Sequence, residues 1–250
     1  MDFGIITVSL IVGISAAILG VFIILRRLAL VSDVLSHVAL PGMALSLFFG
    51  VNVFFGAFAA LLLAVFGIHF LERKSKISFE TIVGIFFTIS LALGIVFFED
   101  TSELIEGLFG SIENITNFDV WLTVILGGAI IFITLFFFRN FAHVTFSKEL
   151  AQSEGLPVKK LDFIFLVLLA CVIALGIKVA GTLLMGALTI LPVSIAKNIS
   201  GSLKSMTLLS VLFGIIIILL GLLTSTLFAI PLSAAIILSG GVLFIISLIK

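Results

Sequence analysis

The chain has 250 residues, 62% of them hydrophobic and 10% charged, with 13 basic residues balanced by 13 acidic ones and a mean hydropathy of +1.48. A soluble domain carries about a quarter charged residues, and no water-soluble core of this length hides so much apolar surface, so the composition excludes a soluble globule and fits a lipid solvent. Zero net charge excludes a global field that would draw nucleic acid, and the single cysteine, Cys171, excludes an intrachain disulfide.

Met1, Asp2 and Phe3 lack the basic start of a signal peptide, so the first apolar run, residues 5–25, is expected to stay as a membrane anchor. It stops at Arg26 and Arg27. The second run, 28–49, contains Asp33, His37 and Pro41. The third, 53–71, stops at a charged cluster from Glu72 to Lys76. The fourth, 81–98, stops at Glu99 and Asp100, and the acidic stretch 101–119 is expected to hold a short surface helix. The fifth is 120–138, followed by a polar segment, 139–160. Two shorter runs, 163–177 and 181–196, flank Lys178, and each reads either as a full crossing or as an arm that turns back within the protein. Runs 206–223 and 228–249 complete the chain. A crossing needs about 20 residues at 1.5 Å rise each. The expected fold is all-α: one polytopic transmembrane bundle over residues 1–250, with about eight to nine spans.

Cytoplasmic loops are enriched in lysine and arginine. Arg26 and Arg27, the cluster of Arg73, Lys74 and Lys76, the four basic residues from Arg139 to Lys160, then Lys197 with Lys204, and Lys250 all fall on one side if every run crosses. That places the N-terminus outside and the C-terminus in the cytoplasm.

Ionisable residues within a span are costly, about 2.5–3.5 kcal/mol for a central aspartate on insertion scales, and they mark pathways or bundle interiors. Asp33 and His37 lie four residues apart, one turn along a single helix face. A carboxylate and an imidazole at that spacing can chelate one divalent cation. The same two residues can equally be satisfied locally, Asp33 accepting a hydrogen bond from His37 or Ser36 or pairing with Arg27. Pro41 is expected to kink their helix. In the run 181–196, Gly181 and Gly186 permit close helix packing, while Thr189 and Pro192 are candidates to line a pathway together with Ser36 and Pro41. In the segment 146–160, Ser147 can cap a short helix that Gly155 and Pro157 end. His69 reads as a hydrogen-bonded interface residue, His143 as solvated, Glu80 as a first-turn acid favoured by the helix dipole, and Lys178 as a side chain that snorkels to the outer surface. The chain has no G-x-x-x-x-G-K-[ST], H-E-x-x-H, G-x-S-x-G or C-x-x-C motif, so no ATP-binding loop or enzyme chemistry has a motif to rest on.

Residues 25–45, LRRLALVSDVLSHVALPGMAL, resemble the pattern R-R-x-x-L-x-G-D-A-x-S-H-A-x-L-P-G-x-A of the membrane subunits of ABC-type zinc, manganese and iron uptake systems. Residues 178–196, KVAGTLLMGALTILPVSIA, are similar to that family's K-V-x-G-x-L-L-V-x-A-L-L-x-x-P-A-A-x-A, and 149–162, ELAQSEGLPVKKLD, to its cytoplasmic segment. Order and spacing match over nearly the whole chain. Ser32 stands where the pattern has glycine, Val34 where it has alanine, and Val193 and Ser194 where it has two alanines. The resemblance implies a permease like those of type II ABC importers in the plasma (inner) membrane. It implies two copies forming the pathway and Asp33 and His37 contacting a zinc, manganese or iron ion in transit, with no resident cofactor. A separate P-loop ATPase would dock on the segment of Glu149, Ser153, Glu154 and Gly155, and an extracytoplasmic solute-binding protein would deliver the ion. A permease for a metal chelate, or a secondary transporter or channel working without an ATPase, are the alternative readings.

Overall fold

In the computed structural model, which describes residues 3–98, 101–110 and 115–249, the apolar runs become helices whose ends fall where the sequence changes character. Met1, Asp2, Glu99, Asp100 and Lys250, used above in reading the termini and topology, and Glu113 of the acidic stretch lie outside the described residues. Helix α1 (Phe3–Leu25) ends at the arginines. Arg27 takes a left-handed backbone, φ 60°, and turns the chain into α2 (Ala29–Val38) and α3 (Leu40–Phe48), which together make one 20-residue span. The expected kink is a break at Ala39, with Pro41 in the first turn of α3, where its missing N–H removes no bond within that helix.

Local side chains set the next helix starts. Asn52 accepts a hydrogen bond from the Phe54 amide at 2.9 Å and caps α4 (Val53–Lys74). Ser78 caps α5 (Phe79–Phe97), with Glu80 in the first turn as expected. The acidic stretch does hold a helix, α6 (Thr101–Phe109). It packs against α10 and α3 instead of lying free on the surface, with Gly107 buried. Thr116 and Asp119 form a reciprocal capping box at the start of α7 (Asn117–Phe136). The polar segment begins with a helix that charge alone conceals, α8 (Phe138–Phe146), whose Phe141 and Val144, three residues apart, are buried. Ser147 then caps α9 (Lys148–Ser153) by accepting from the Leu150 amide at 3.2 Å, and Gly155 ends the turn with φ 79°.

α10 (Val158–Ile199) runs 42 residues and breaks at Gly181, whose φ of 66° and ψ of 174° are not helical. The chain folds back there. On a straight helix Gly176 and Met185 would be about 13 Å apart, yet the Met185 thioether fills the space beside the Gly176 Cα. A Cβ at Gly181 would overlap the backbone of Leu108 and Gly110, so α6 and its following turn close directly onto the break. Each arm is long enough to cross, Val158–Lys178 with 21 residues and Ala180–Ile199 with 20. α11 (Leu203–Phe228) and the shorter α12 (Leu232–Leu248) follow. Counting the two arms separately, eight stretches among the described residues are long and apolar enough to span a bilayer.

α1 and both arms of α10 form the centre. α2 to α5 pack on one side of it, α7 on another and α11 with α12 on a third. Large apolar side chains such as Phe66, Val96, Phe132 and Leu208 stay exposed on the outside, as lipid allows. Burial against lipid gives no hydrophobic gain between helices, so association relies on close contact of small residues and on hydrogen bonds. Gly42 of α3 and Gly56 of α4 meet backbone to backbone, and Gly20 of α1 lies against the Thr189 carbonyl of α10. Some buried hydroxyls return to their own helix, Ser15 to the Ile11 carbonyl at 2.8 Å and Thr134 to that of Ile130 at 2.7 Å.

Candidate metal pathway and cytoplasmic docking segment

α2 has two faces. Val31, Ser32, Leu35 and Ser36 are buried toward α10 and α5, while Leu30 is 79% exposed and Asp33, Val34 and His37 are half-buried. The helical spacing therefore does bring the acid and the imidazole to one partly open face. The alternatives that would satisfy them locally are not realised. Arg27 makes no ion pair with Asp33 among the described residues, and Ser36 donates to the Asp33 backbone carbonyl at 2.6 Å instead of to its carboxylate. Among the described residues the Asp33 carboxylate accepts no hydrogen bond. His37 Nδ1 is buried with no hydrogen-bond partner, and its ring meets Phe87 of α5 edge to face at 5.6 Å. Both groups keep free lone pairs on the same turn.

The other candidate lining residues stand behind this pair. Ser36 and Thr189 are fully buried, Thr189 being bonded to Ser32 at 2.8 Å. Pro41 is buried on the wall of an apolar groove of about 580 Å³ between α3, α4 and α5. Pro192 is buried beside Gly214 of α11, about 120° round its helix from Gly186 at 100° per residue. No three His, Cys, Asp or Glu side chains converge among the described residues.

Two clusters that sequence reading missed sit at opposite ends of the bundle. At the end carrying the basic loops, Arg26 donates from Nη1 to Asp162 at 2.7 Å and from Nε to Thr145 at 2.9 Å, and its guanidinium covers the Phe165 ring. Burial pulls the Arg26 pKa down and Asp162 pushes it back up. Lys148 reaches the other Asp162 oxygen at 2.9 Å, tying α9 to the end of α1 and the start of α10. Above this clamp α9 is exposed except for Ala151. Leu150 is open to solvent, Ser153 bonds back to the Leu150 carbonyl, and Glu154 pairs with His143 at 2.7 Å. His143 is thus half-exposed and paired. The Glu149 carboxyl is held below its usual range by its own backbone amide and by the Ser147 hydroxyl. His69 packs on Phe163 and makes no hydrogen bond among the described residues, contrary to expectation.

At the other end Lys178 does not reach for the surface. It pairs with Asp119 at 2.6 Å, and both side chains are mostly buried. Asp119 also accepts from Asn52 at 2.8 Å and from the Thr116 amide and hydroxyl at 2.8 and 2.7 Å. The signal was present in the sequence as the capping-box pattern at Thr116 and Asp119, but the lysine is 59 residues away.

The sequence pattern of the ABC 3 transport family matches residues 3–250. The chain belongs to this family. The manganese transport system membrane protein MntC of Listeria monocytogenes is 34% identical over 242 residues, 96% of this chain and 86% of that protein. The high-affinity zinc uptake system membrane protein ZnuB of Haemophilus influenzae is 31% identical over 247 residues, 97% and 94% of the two chains. The solved structure of PsaBC from Streptococcus pneumoniae in complex with Fab contains a chain that superposes with a TM-score of 0.87 at 34% identity, covering 98% of this chain and 89% of that one. The ABC 3 family member described here is therefore a multi-pass membrane protein of the permease kind, and its relatives include manganese and zinc permeases.

Proposed function

We propose that this chain is the membrane-spanning subunit of an ATP-driven importer of divalent transition-metal ions, working as a pair of copies. The observation that carries this reading is the half-open turn of α2, where the Asp33 carboxylate and the buried His37 Nδ1 lack partners among the described residues. Inside a membrane an unsatisfied acid and imidazole are costly, and an ion in transit is the species that uses both. Two ligands per copy suit cargo, because a transit site must bind weakly enough to release. Carboxylate with imidazole suits manganese and zinc, the ions named for relatives MntC and ZnuB. The chain carries no P-loop of its own, so ATP would be hydrolysed on a separate subunit seated on exposed α9, and a solute-binding protein would deliver the ion at the opposite face. The basic loops support a place in the plasma membrane with the N-terminus outside and the C-terminus in the cytoplasm. A secondary transporter would need further free carboxylates in the spans, and Asp119 is already held by Lys178.

The test is accumulation of radioactive manganese and zinc in cells carrying the complete transporter. Asp33→Ala and His37→Ala are expected to reach the membrane in normal amount and to lose uptake; normal uptake in both removes the assignment.

A further inference from the structure

The position of the Asp33 carboxylate is set by something other than hydrogen bonds, since it accepts none among the described residues. What it rests on is the second arm of α10. A Cβ built on Gly186 would overlap Asp33 Oδ1 and come within 3.3 Å of its Cγ and 3.4 Å of its Cα. The glycine therefore leaves a hollow in α10, and the acid lies in it.

The two helices are also tied in register at that point. Ser32, the residue before Asp33, bonds to Thr189 at 2.8 Å, and Thr189 donates to the Gly186 carbonyl at 2.8 Å. A threonine hydroxyl has one hydrogen. Thr189 spends it on Gly186, so Ser32 is the donor to Thr189, and the chain runs Ser32 to Thr189 to the peptide that forms the hollow. Both hydroxyls are fully buried, where an unmade bond is costly.

We propose that Gly186 and the Ser32–Thr189 bond are positioning residues for Asp33, and that through the place they give its carboxylate they set the preference of the Asp33–His37 pair among divalent ions. The inference rests on the metal-permease reading. Manganese favours oxygen donors in a high coordination number, whereas zinc is satisfied by four ligands including imidazole. Pushing the carboxylate out of the hollow, away from its present relation to His37, weakens manganese handling more than zinc handling. Residues that orient metal ligands typically change affinity or activity 10–100-fold when altered.

The experiment measures uptake of manganese and zinc in competition, in cells producing the complete transporter, together with the amount of permease in the membrane. Gly186→Ala is expected to lower the manganese-to-zinc uptake ratio about tenfold at unchanged protein level. Thr189→Val, which keeps the shape and removes the hydroxyl, is expected to shift the ratio in the same direction, and Thr189→Ser, which keeps the hydroxyl, to retain the wild-type ratio. A purely structural role would lower the protein level, and with it both fluxes, without moving the ratio. Gly128→Ala, which meets no atom within 4 Å, is the control. If Gly186→Ala does not accumulate, the threonine pair decides. An unchanged ratio in Gly186→Ala or, failing that, in Thr189→Val, with uptake abolished by Asp33→Asn, overturns the positioning role and leaves the metal reading standing. Normal uptake in Asp33→Asn overturns the metal reading and the positioning role with it.

Discussion

Two acid–base pairs lie within the membrane spans, and their surroundings are opposite. Asp119 and Lys178 face each other at 2.6 Å, and the carboxylate takes further hydrogen bonds from Asn52 and twice from Thr116, joining the ends of α4, α7 and the first arm of α10. Asp33 and His37 sit on one turn of α2 with no such donors, at a half-open face. A buried charge that is paired and hydrogen-bonded organises the fold, because removing either partner strands the other. A half-buried polar pair left unpartnered weakens the fold and persists where a ligand uses it.

The difference predicts different kinds of failure. Asp33→Ala should produce the largest functional loss, uptake falling to background, while thermal unfolding of the purified protein in detergent stays at or slightly above the wild-type temperature because an unpaired acid has gone. Lys178→Ala should do the reverse. It leaves the Asp119 charge uncompensated and is expected to destabilise the chain by about 3–5 kcal/mol, seen as a lower unfolding temperature and less protein in the membrane. The double change Asp119→Leu with Lys178→Met should recover most of that loss, since paired charges replaced together by apolar groups are often neutral. If Lys178→Ala folded normally and lost only transport, the contrast between the pairs would be wrong.

Smaller effects sharpen the comparison at the end carrying the basic loops. Arg26→Lys cannot hold Asp162 and Thr145 in the same fork and should cost about 1.5–3 kcal/mol, read from unfolding in detergent. Ser147→Ala removes the α9 cap, worth about 1 kcal/mol. Its expected signature is faster amide exchange over residues 148–153 and weaker co-purification of the ATPase subunit that the proposed function places there, with the spans unaffected. Smallest of all, Gly128→Ala should stabilise α7 by about 0.5–1 kcal/mol, since nothing in the structure crowds that position.

Much of this architecture is legible in the sequence because lipid imposes length and hydropathy on every span. The runs, the first-turn acid Glu80, the cap at Ser147 and the stop at Gly155 follow from residues within a few positions of each helix end. The spacing of Asp33 and His37 likewise fixes their shared face, since four residues make one turn. α8 was hidden because its two buried anchors, Phe141 and Val144, lie among polar neighbours. The break at Gly181 reads as a boundary between runs, but its fold-back geometry depends on α6 closing over it.

The tertiary structure alone decided which charges are satisfied. Lys178 and Asp119 are 59 residues apart and Arg26 and Asp162 are 136 apart, and no periodicity within a helix links such positions. It also decided that Gly186 receives the Asp33 carboxylate, a contact between helices whose register is set by Ser32 and Thr189. Local patterns determine elements because backbone hydrogen bonds and lipid act within one segment. Partners across the bundle are chosen by packing, which brings together side chains that the linear order keeps apart.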